Sequence, residues 1–310
     1  DLINNRIVVN PIEPRSAISD YNKDNNHFTV YVESQGSHAM RERLAGSLGV
    51  EEKNIKVVTN DVGGGFGLKM MCFPEYVATM FASRVLQRPV KWTSTRSEAF
   101  LSDSHGRDHV TEASIAMDKE GNFLGVKVDT VAAVGAYLSQ YGIFIPTLAG
   151  AGMHVGVYKI PVLYNKVNVV YTNTVPVDAY RGAGRPEASY VIERLVDKAA
   201  DDLGIDPVEL RVKNFVQPDE IGKHEGAILP LDSCDFKKTT EMSMVNSSYD
   251  DFLKRKEQSK LENKLRGIGI SYYIERTQGE GAENSRVVIS GEGSVKVFAG
   301  TQATGQGHET

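Results

Sequence analysis

A chain of 310 residues, 41% hydrophobic and 24% charged, carries enough apolar side chains for more than one core and has the balance of a globular protein. Its formal charge of -5, with the signs interspersed, argues against the basic stripe by which proteins hold nucleic acids. Two distant cysteines, Cys72 and Cys234, form no CxxC pair, which argues against a disulfide framework or a thiolate metal site and points to a reducing, cytoplasmic setting.

The amino-terminal DLINNRIVVN has neither the basic region nor the apolar region of a signal peptide. In FTVYVESQ, Phe28, Val30 and Val32 alternate with more polar neighbours, the period of a half-buried strand ending at Gln35. SHAMRERLAGSLG predicts a helix with Ser37 as N-cap, an apolar face of Met40, Leu44 and Leu48, and Gly49 as its stop. A strand over Ile55 to Val58 leads into DVGGGFGLK, and Pro74 opens the next helix. Residues 108–117 and 122–135, flanking the turn tetrad DKEG, predict a β-hairpin. GAYLSQYGIFIPTLAGAGMHVGVY has no formal charge, but its glycines and proline predict buried irregular backbone rather than a membrane span.

A strand over Val167 to Tyr171 precedes AYRGAGRPE, which opens a helix with an apolar stripe of Val191, Ile192, Leu195, Val196, Ala199 and Leu203. Asp206 and Pro207 begin another helix. The polar stretch 236–266 reads as an exposed helix or linker. GIGISYYIE and SVKVFAGTQ are predicted strands of a second domain. The expected division is a first domain over 1–235, a connector over 236–266 and the start of a second domain over 267–310, in a mixed α+β fold. Because GQGHET reads as a loop leaving a strand, the chain is expected to be a piece of a longer protein.

Three glycine-rich loops, GGGFG, RGAGR and TGQG, each follow a strand pattern. Glycines there permit positive φ and let backbone N–H groups approach a ligand, and a helix amino end after RGAGRP favours an anion. Tight turns would use the same residues. The loops match neither a P-loop nor a Rossmann fingerprint, and His105 and His109 are read as surface residues rather than ligands.

Taken in order, ESQ, DVGGGFGLK, AYRGAGRPE, ELRVKN and GTQATGQGHET resemble the molybdenum-binding large subunit of the xanthine dehydrogenase and aldehyde oxidase family. More narrowly the chain resembles the aerobic carbon monoxide dehydrogenase large chain, without its copper-binding cysteine. The resemblance implies a molybdenum–molybdopterin cofactor, with the cytosine dinucleotide form as one option, and no direct ligation of the metal by protein side chains. It implies that Gln35, Gly65, Phe66, Gly67, Arg181, Gly182, Gly305, Gln306 and Gly307 contact the cofactor, with Gln35, Phe66 and Arg181 nearest the metal. These residues are therefore expected to converge in space.

Departures from the family pattern bear on the substrate. Met70, Ala149 and Ala183 stand where purine-oxidising members carry a glutamate, an arginine and a phenylalanine, which argues against xanthine. Gly182 stands where the carbon monoxide enzymes carry their cysteine. The implied reaction is hydroxylation of an aldehyde or an N-heterocyclic carbon with oxygen from water. Its base, a glutamate in that family, is expected beyond Thr310, so no catalytic residue is assigned. The implied partners are an iron–sulfur small subunit and an FAD-binding medium subunit, in a dimer of heterotrimers. A carbon monoxide or xanthine type of large subunit, a non-catalytic molybdopterin-binding protein and a structural β-rich protein are the alternatives.

Overall fold

The computed structural model describes residues 1–223, 231–275 and 284–308; Glu309 and Thr310 of the terminal motif lie outside the described residues. In chain order it contains β1 (Leu2–Asn4), β2 (Ile7–Val8), β3 (Ser16–Asn22), β4 (His27–Val32), α1 (Ser37–Leu48), β5 (Ile55–Val58), α2 (Pro74–Leu86), β6 (Val90–Thr93) and α3 (Arg96–Ser102). There follow β7 (His105–Gly106), β8 (His109–Met117), β9 (Phe123–Ala133), β10 (Leu163–Val170), α4 (Arg185–Leu203) and α5 (Pro207–Asn214). Last come α6 (Phe236–Ser247), α7 (Phe252–Leu261), β11 (Arg286–Ile289) and β12 (Val295–Phe298).

Two mixed four-stranded sheets organise the larger part. The first has the order β5-β4-β3-β6, with β4 parallel to β5 and the other pairs antiparallel. The alternation of Phe28, Val30 and Val32 buries all three against Met40 and Leu44 of α1 and Tyr76 and Met80 of α2. The second sheet has the order β1-β8-β9-β10. Its β8–β9 hairpin turns at Asp118, whose carboxylate accepts the N–H groups of Glu120 and Asn122. Val191, Ile192, Val196 and Ala199 of α4 cover Val126 and Val128, while Leu195 is half-buried and Leu203 exposed. Because β10 runs parallel to β9, the chain must cross back between them. It does so through residues 135–158, which contain one π-helical turn at Ile145–Ala149 and are buried throughout from Gly152 to Tyr158.

The architecture is the expected mix of helices and sheets, with local corrections. β4 stops at Val32, so Gln35 lies in the loop beyond it. The N-cap of α1 is Gly36, and Ser37 is already helical and caps nothing. Asp206 does cap α5, accepting from the N–H groups of Val208 and Glu209. The predicted strand over GIGISYYIE is not formed. Its backbone is satisfied by side chains instead: Tyr272 N donates to Glu193 Oε2 at 2.8 Å and Ile270 O accepts from Arg211 at 3.2 Å. His105 and His109 are not surface residues; His105 is half-buried and His109 buried, because both lie on strands covered by neighbouring segments. No helix among the described residues is long and apolar enough to cross a membrane.

Candidate functional site

The glycine loop that leaves β5 must pass close to three other segments, and Gly63, Gly65 and Gly67 are each fitted to one of them. A Cβ on Gly63 would lie 2.5 Å from Glu13 Cβ, one on Gly65 2.6 Å from the Gln35 side chain, and one on Gly67 2.6 Å from Ala179 O. Between them Phe66 adopts φ 53, and its carbonyl accepts the Arg181 N–H at 2.9 Å. Phe66 and Arg181, far apart in sequence, are thus joined through the backbone. The Arg181 guanidinium stands 5.9 Å from the centroid of the Phe66 ring, within cation–π range.

Gln35 closes the same corner. Its backbone N–H donates to Lys69 O at 3.1 Å, and its Oε1 accepts the Gly67 N–H at 2.8 Å. Only the oxygen of the carboxamide can accept there, so the amide orientation is set and the donor end, Nε2, is left to meet a ligand. From the second domain, Gln302 Nε2 donates to Ser34 O at 2.6 Å and brings the third glycine loop alongside. A Cβ on Gly305 would lie 3.2 Å from Val62 O.

These segments enclose a cleft of about 1010 Å³ lined by Gln35, residues 63–67, Met70, residues 179–183 and residues 304–306, with Asn10 and Ile12 at its margin. Among the described residues its lining carries one cation, Arg181, and no carboxylate. Such a cleft suits a large anionic group: glycine backbone lets it approach, Arg181 supplies positive charge and Gln35 a hydrogen-bond donor. Among the described residues no cluster of three or more His, Cys, Asp or Glu could hold a metal.

Of the residues singled out from sequence, Gln35, Gly65, Phe66, Gly67, Met70, Arg181, Gly182, Ala183, Gly305 and Gln306 line this one cleft. Gln306 turns its Oε1 back to the Thr304 N–H at 2.5 Å, shaping its own loop. Gly307, with φ 72, lies just outside the lining. Ala149 is buried in the π-helical turn and is not among the residues that line this cleft. It precedes Gly150, which packs against Gly184 O, so this segment supports the arginine loop from behind.

Sequence reading missed the charged groups beneath the loops. Lys69 is fully buried and donates to Glu13 Oε2 at 2.8 Å, and the same oxygen accepts the Gly63 N–H at 2.7 Å. Burial pushes the Glu13 pKa up, but Lys69 and the Gly63 N–H outweigh it and hold the carboxyl below its ordinary range. Arg107, also buried, donates to the carbonyls of Tyr180 and Arg181 and to Glu187. One signal was available for Lys69, a lone lysine amid the apolar residues of GFGLKMM. Burial also pulls the pKa of His109 down, and takes that of His154 down to about 4 with a further contribution from His109.

The family model described as a molybdopterin cofactor-binding domain matches residues 1–215, and a second model with the same description matches residues 243–310. The chain is 30% identical over 309 residues to the 6-hydroxypseudooxynicotine dehydrogenase complex subunit gamma of Paenarthrobacter nicotinovorans, covering 97% of this chain and 38% of that one. It is 32% identical over 322 residues to the carbon monoxide dehydrogenase large chain of Hydrogenophaga pseudoflava, covering 97% and 39%. The chain therefore spans about two fifths of the length of these curated relatives. The crystal structure of quinoline 2-oxidoreductase from Pseudomonas putida 86 superposes with a TM-score of 0.92 at 28% identity, covering 99% of this chain and 41% of that one. A molybdopterin fits the glycine backbone, the Arg181 cation and the Gln35 donor that the cleft offers, and with the family models covering most of the chain, this chain belongs to the molybdopterin cofactor-binding family of molybdenum-hydroxylase large subunits.

Proposed function

We propose that the cleft holds the molybdenum–molybdopterin group of a hydroxylase that oxidises an N-heterocyclic or aldehyde carbon. The observation that carries this reading is the convergence of Gln35, the Gly65–Gly67 backbone, Arg181 and Gly305 on one cleft that holds no carboxylate among the described residues. Bound there, the group would supply two-electron oxidation of a carbon centre with oxygen taken from water. Gln35 holds it through its free Nε2 donor, and Gly182 and the 305–307 backbone give it close approach. Arg181 offsets negative charge that grows during the reaction. Phe66, 40% exposed, covers one side.

Met70 and Ala183 give the cleft an apolar wall, which suits a flat, weakly polar substrate better than a purine with several groups to pair. The naming of relatives supports the same class: one is a nicotine 6-hydroxylase large subunit, and the superposed structure is a quinoline oxidoreductase. A copper site of the carbon monoxide type has no thiol at position 182. Gly182 has φ 95, and a Cβ there would lie 2.5 Å from Pro186 Cγ, so the loop as built has no room for cysteine. Among the described residues that line this cleft none carries a carboxylate to act as the base, and we assign that proton acceptor to none of them.

We place the first cofactor-binding domain at 1–235, a helical connector at 236–266 and a second domain from 267, and infer iron–sulfur and FAD partner subunits as electron acceptors in the cytoplasm. The deciding experiment is to purify the protein with its associated chains, measure molybdenum and extractable pterin, and supply quinoline or nicotine in ¹⁸O-labelled water with an artificial electron acceptor. Molybdenum near one per chain and labelled product are expected. Pterin without any labelled product would favour a non-catalytic cofactor-binding role, and absence of pterin would refute both.

A further inference from the structure

We propose that the buried Arg107–Glu187 pair is the positioning device for Arg181, holding residues 180–184 in the path that puts the Arg181 side chain and Ala183 in the cleft. That path is not one the chain adopts by itself. Gly182, Ala183 and Gly184 have φ 95, 41 and 93, three left-handed residues in succession, and the middle one carries a Cβ. A conformation of this kind persists only where its surroundings hold it.

The holding groups lie beneath the loop. Arg107 Nη1 donates to Tyr180 O at 2.9 Å and Nη2 to Arg181 O at 2.9 Å, so the two arms of one guanidinium grip consecutive carbonyls. Nη1 also reaches Glu187 Oε1 at 3.2 Å, and Glu187 Oε2 accepts the Gly184 N–H at 3.0 Å. One ion pair thereby engages the two carbonyls just before the left-handed run and the N–H of its last residue. The guanidinium lies 5.0 Å from the centroid of the Tyr180 ring. Arg107 is itself held in a left-handed conformation, φ 69, by the strand junction that follows Gly106.

Neither Arg107 nor Glu187 lines the cleft, so both act through the loop and not on a ligand. A lysine at 107 would keep the charge but could not place two donors at fixed separation on consecutive carbonyls. The proposal rests on Arg181 being the cofactor-facing residue, and its test reads the loop and the cofactor separately.

The Arg181–Gly182 bond is a trypsin site on an exposed residue, and Lys119 in the distant 118–121 turn is an exposed internal control. In the folded protein, Arg107→Lys is expected to speed cutting after Arg181 by about tenfold relative to cutting after Lys119, because local opening controls the rate. Molybdenum content should fall with it. An unchanged ratio of the two cuts overturns the proposal. A raised ratio with unchanged molybdenum supports the positioning role and removes the cofactor role from Arg181. If Arg107→Lys does not fold, amide exchange on the unaltered protein decides: the Gly184 N–H must exchange as slowly as those of β9, and exchange at the rate of an exposed loop overturns the proposal.

Discussion

Replacing Gly65 and Gly67 separately by alanine distinguishes a wall made by a movable side chain from one made by backbone. Gly65 is outside the left-handed region, and its added Cβ would meet Gln35 Cγ, Cδ and Oε1, all at 2.6 Å. Gln35 can rotate away, giving up its bond to the Gly67 N–H, a loss of about 1 kcal/mol. Alanine recovers about 0.4–1 kcal/mol by restricting the unfolded chain, so the net change is within about 1 kcal/mol. Gly67 has φ 100, and its added Cβ would lie 2.6 Å from Ala179 O and 2.9 Å from Ala179 C, which are backbone atoms that cannot rotate aside. Left-handed strain of about 1–2 kcal/mol and overpacking of about 1–3 kcal/mol add to on the order of 2–5 kcal/mol. At about 2–4 °C per kcal/mol, Gly67→Ala should lower Tm by on the order of 10 °C and Gly65→Ala by less than about 4 °C. Thermal unfolding followed by circular dichroism, with molybdenum measured on the same preparations, checks both. Gly65→Ala should keep its Tm and lose molybdenum, because Gln35 has been displaced. A Gly65→Ala protein melting as low as Gly67→Ala would show that Gln35 is not a movable wall, and one with native molybdenum content would show that Gln35 does not hold the cofactor.

Lys69→Met should destabilise the fold by about 2 kcal/mol in urea titrations, less than a fully enclosed pair because Glu13 can still meet water. The folded Glu13 pKa lies below its ordinary 4.5, so its stabilisation is complete above that value and disappears as pH falls through the lower folded value. The variant should show a flatter acid limb there. His154 works in the same direction at higher pH. Burial holds its folded pKa at about 4 against 6.5 unfolded, so stability is full above pH 6.5 and declines as the pH falls toward 4. His154→Leu should remove about 2 kcal/mol of the difference in unfolding free energy between about pH 8 and about pH 5, and an unchanged difference would count against this account. Arg181→Lys should leave Tm within about 2 °C while lowering hydroxylation about a hundredfold in steady-state assays, since the ammonium lacks the planar fork.

Local elements were legible where backbone physics alone decides them. The alternation in Phe28, Val30 and Val32, the turn at Asp118 and the cap at Asp206 each depend on residues a few positions apart, and each is formed as its spacing requires. The glycine loops were legible as places of close approach, and the order of the motifs carried the family. Position relative to neighbours was not. Ser37 has the chemistry of a cap, but Gly36 turns the chain first. GIGISYYIE has strand spacing, yet Glu193 and Arg211 claim its backbone. Ala149 sits beneath the arginine loop because the crossover from β9 to β10 passes behind it.

The sequence by itself determined most of the helices, strands and turns of residues 1–215, and marked three glycine loops where backbone could be approached closely. Only the tertiary structure decided that these segments share one cleft, and that Lys69 and Arg107 are buried beneath it. The partners of those two cations lie 56 and 80 residues away in the chain, at Glu13 and Glu187. Whether a charge is solvated or paired depends on what packs over it, and no periodicity along the chain encodes a neighbour at that separation.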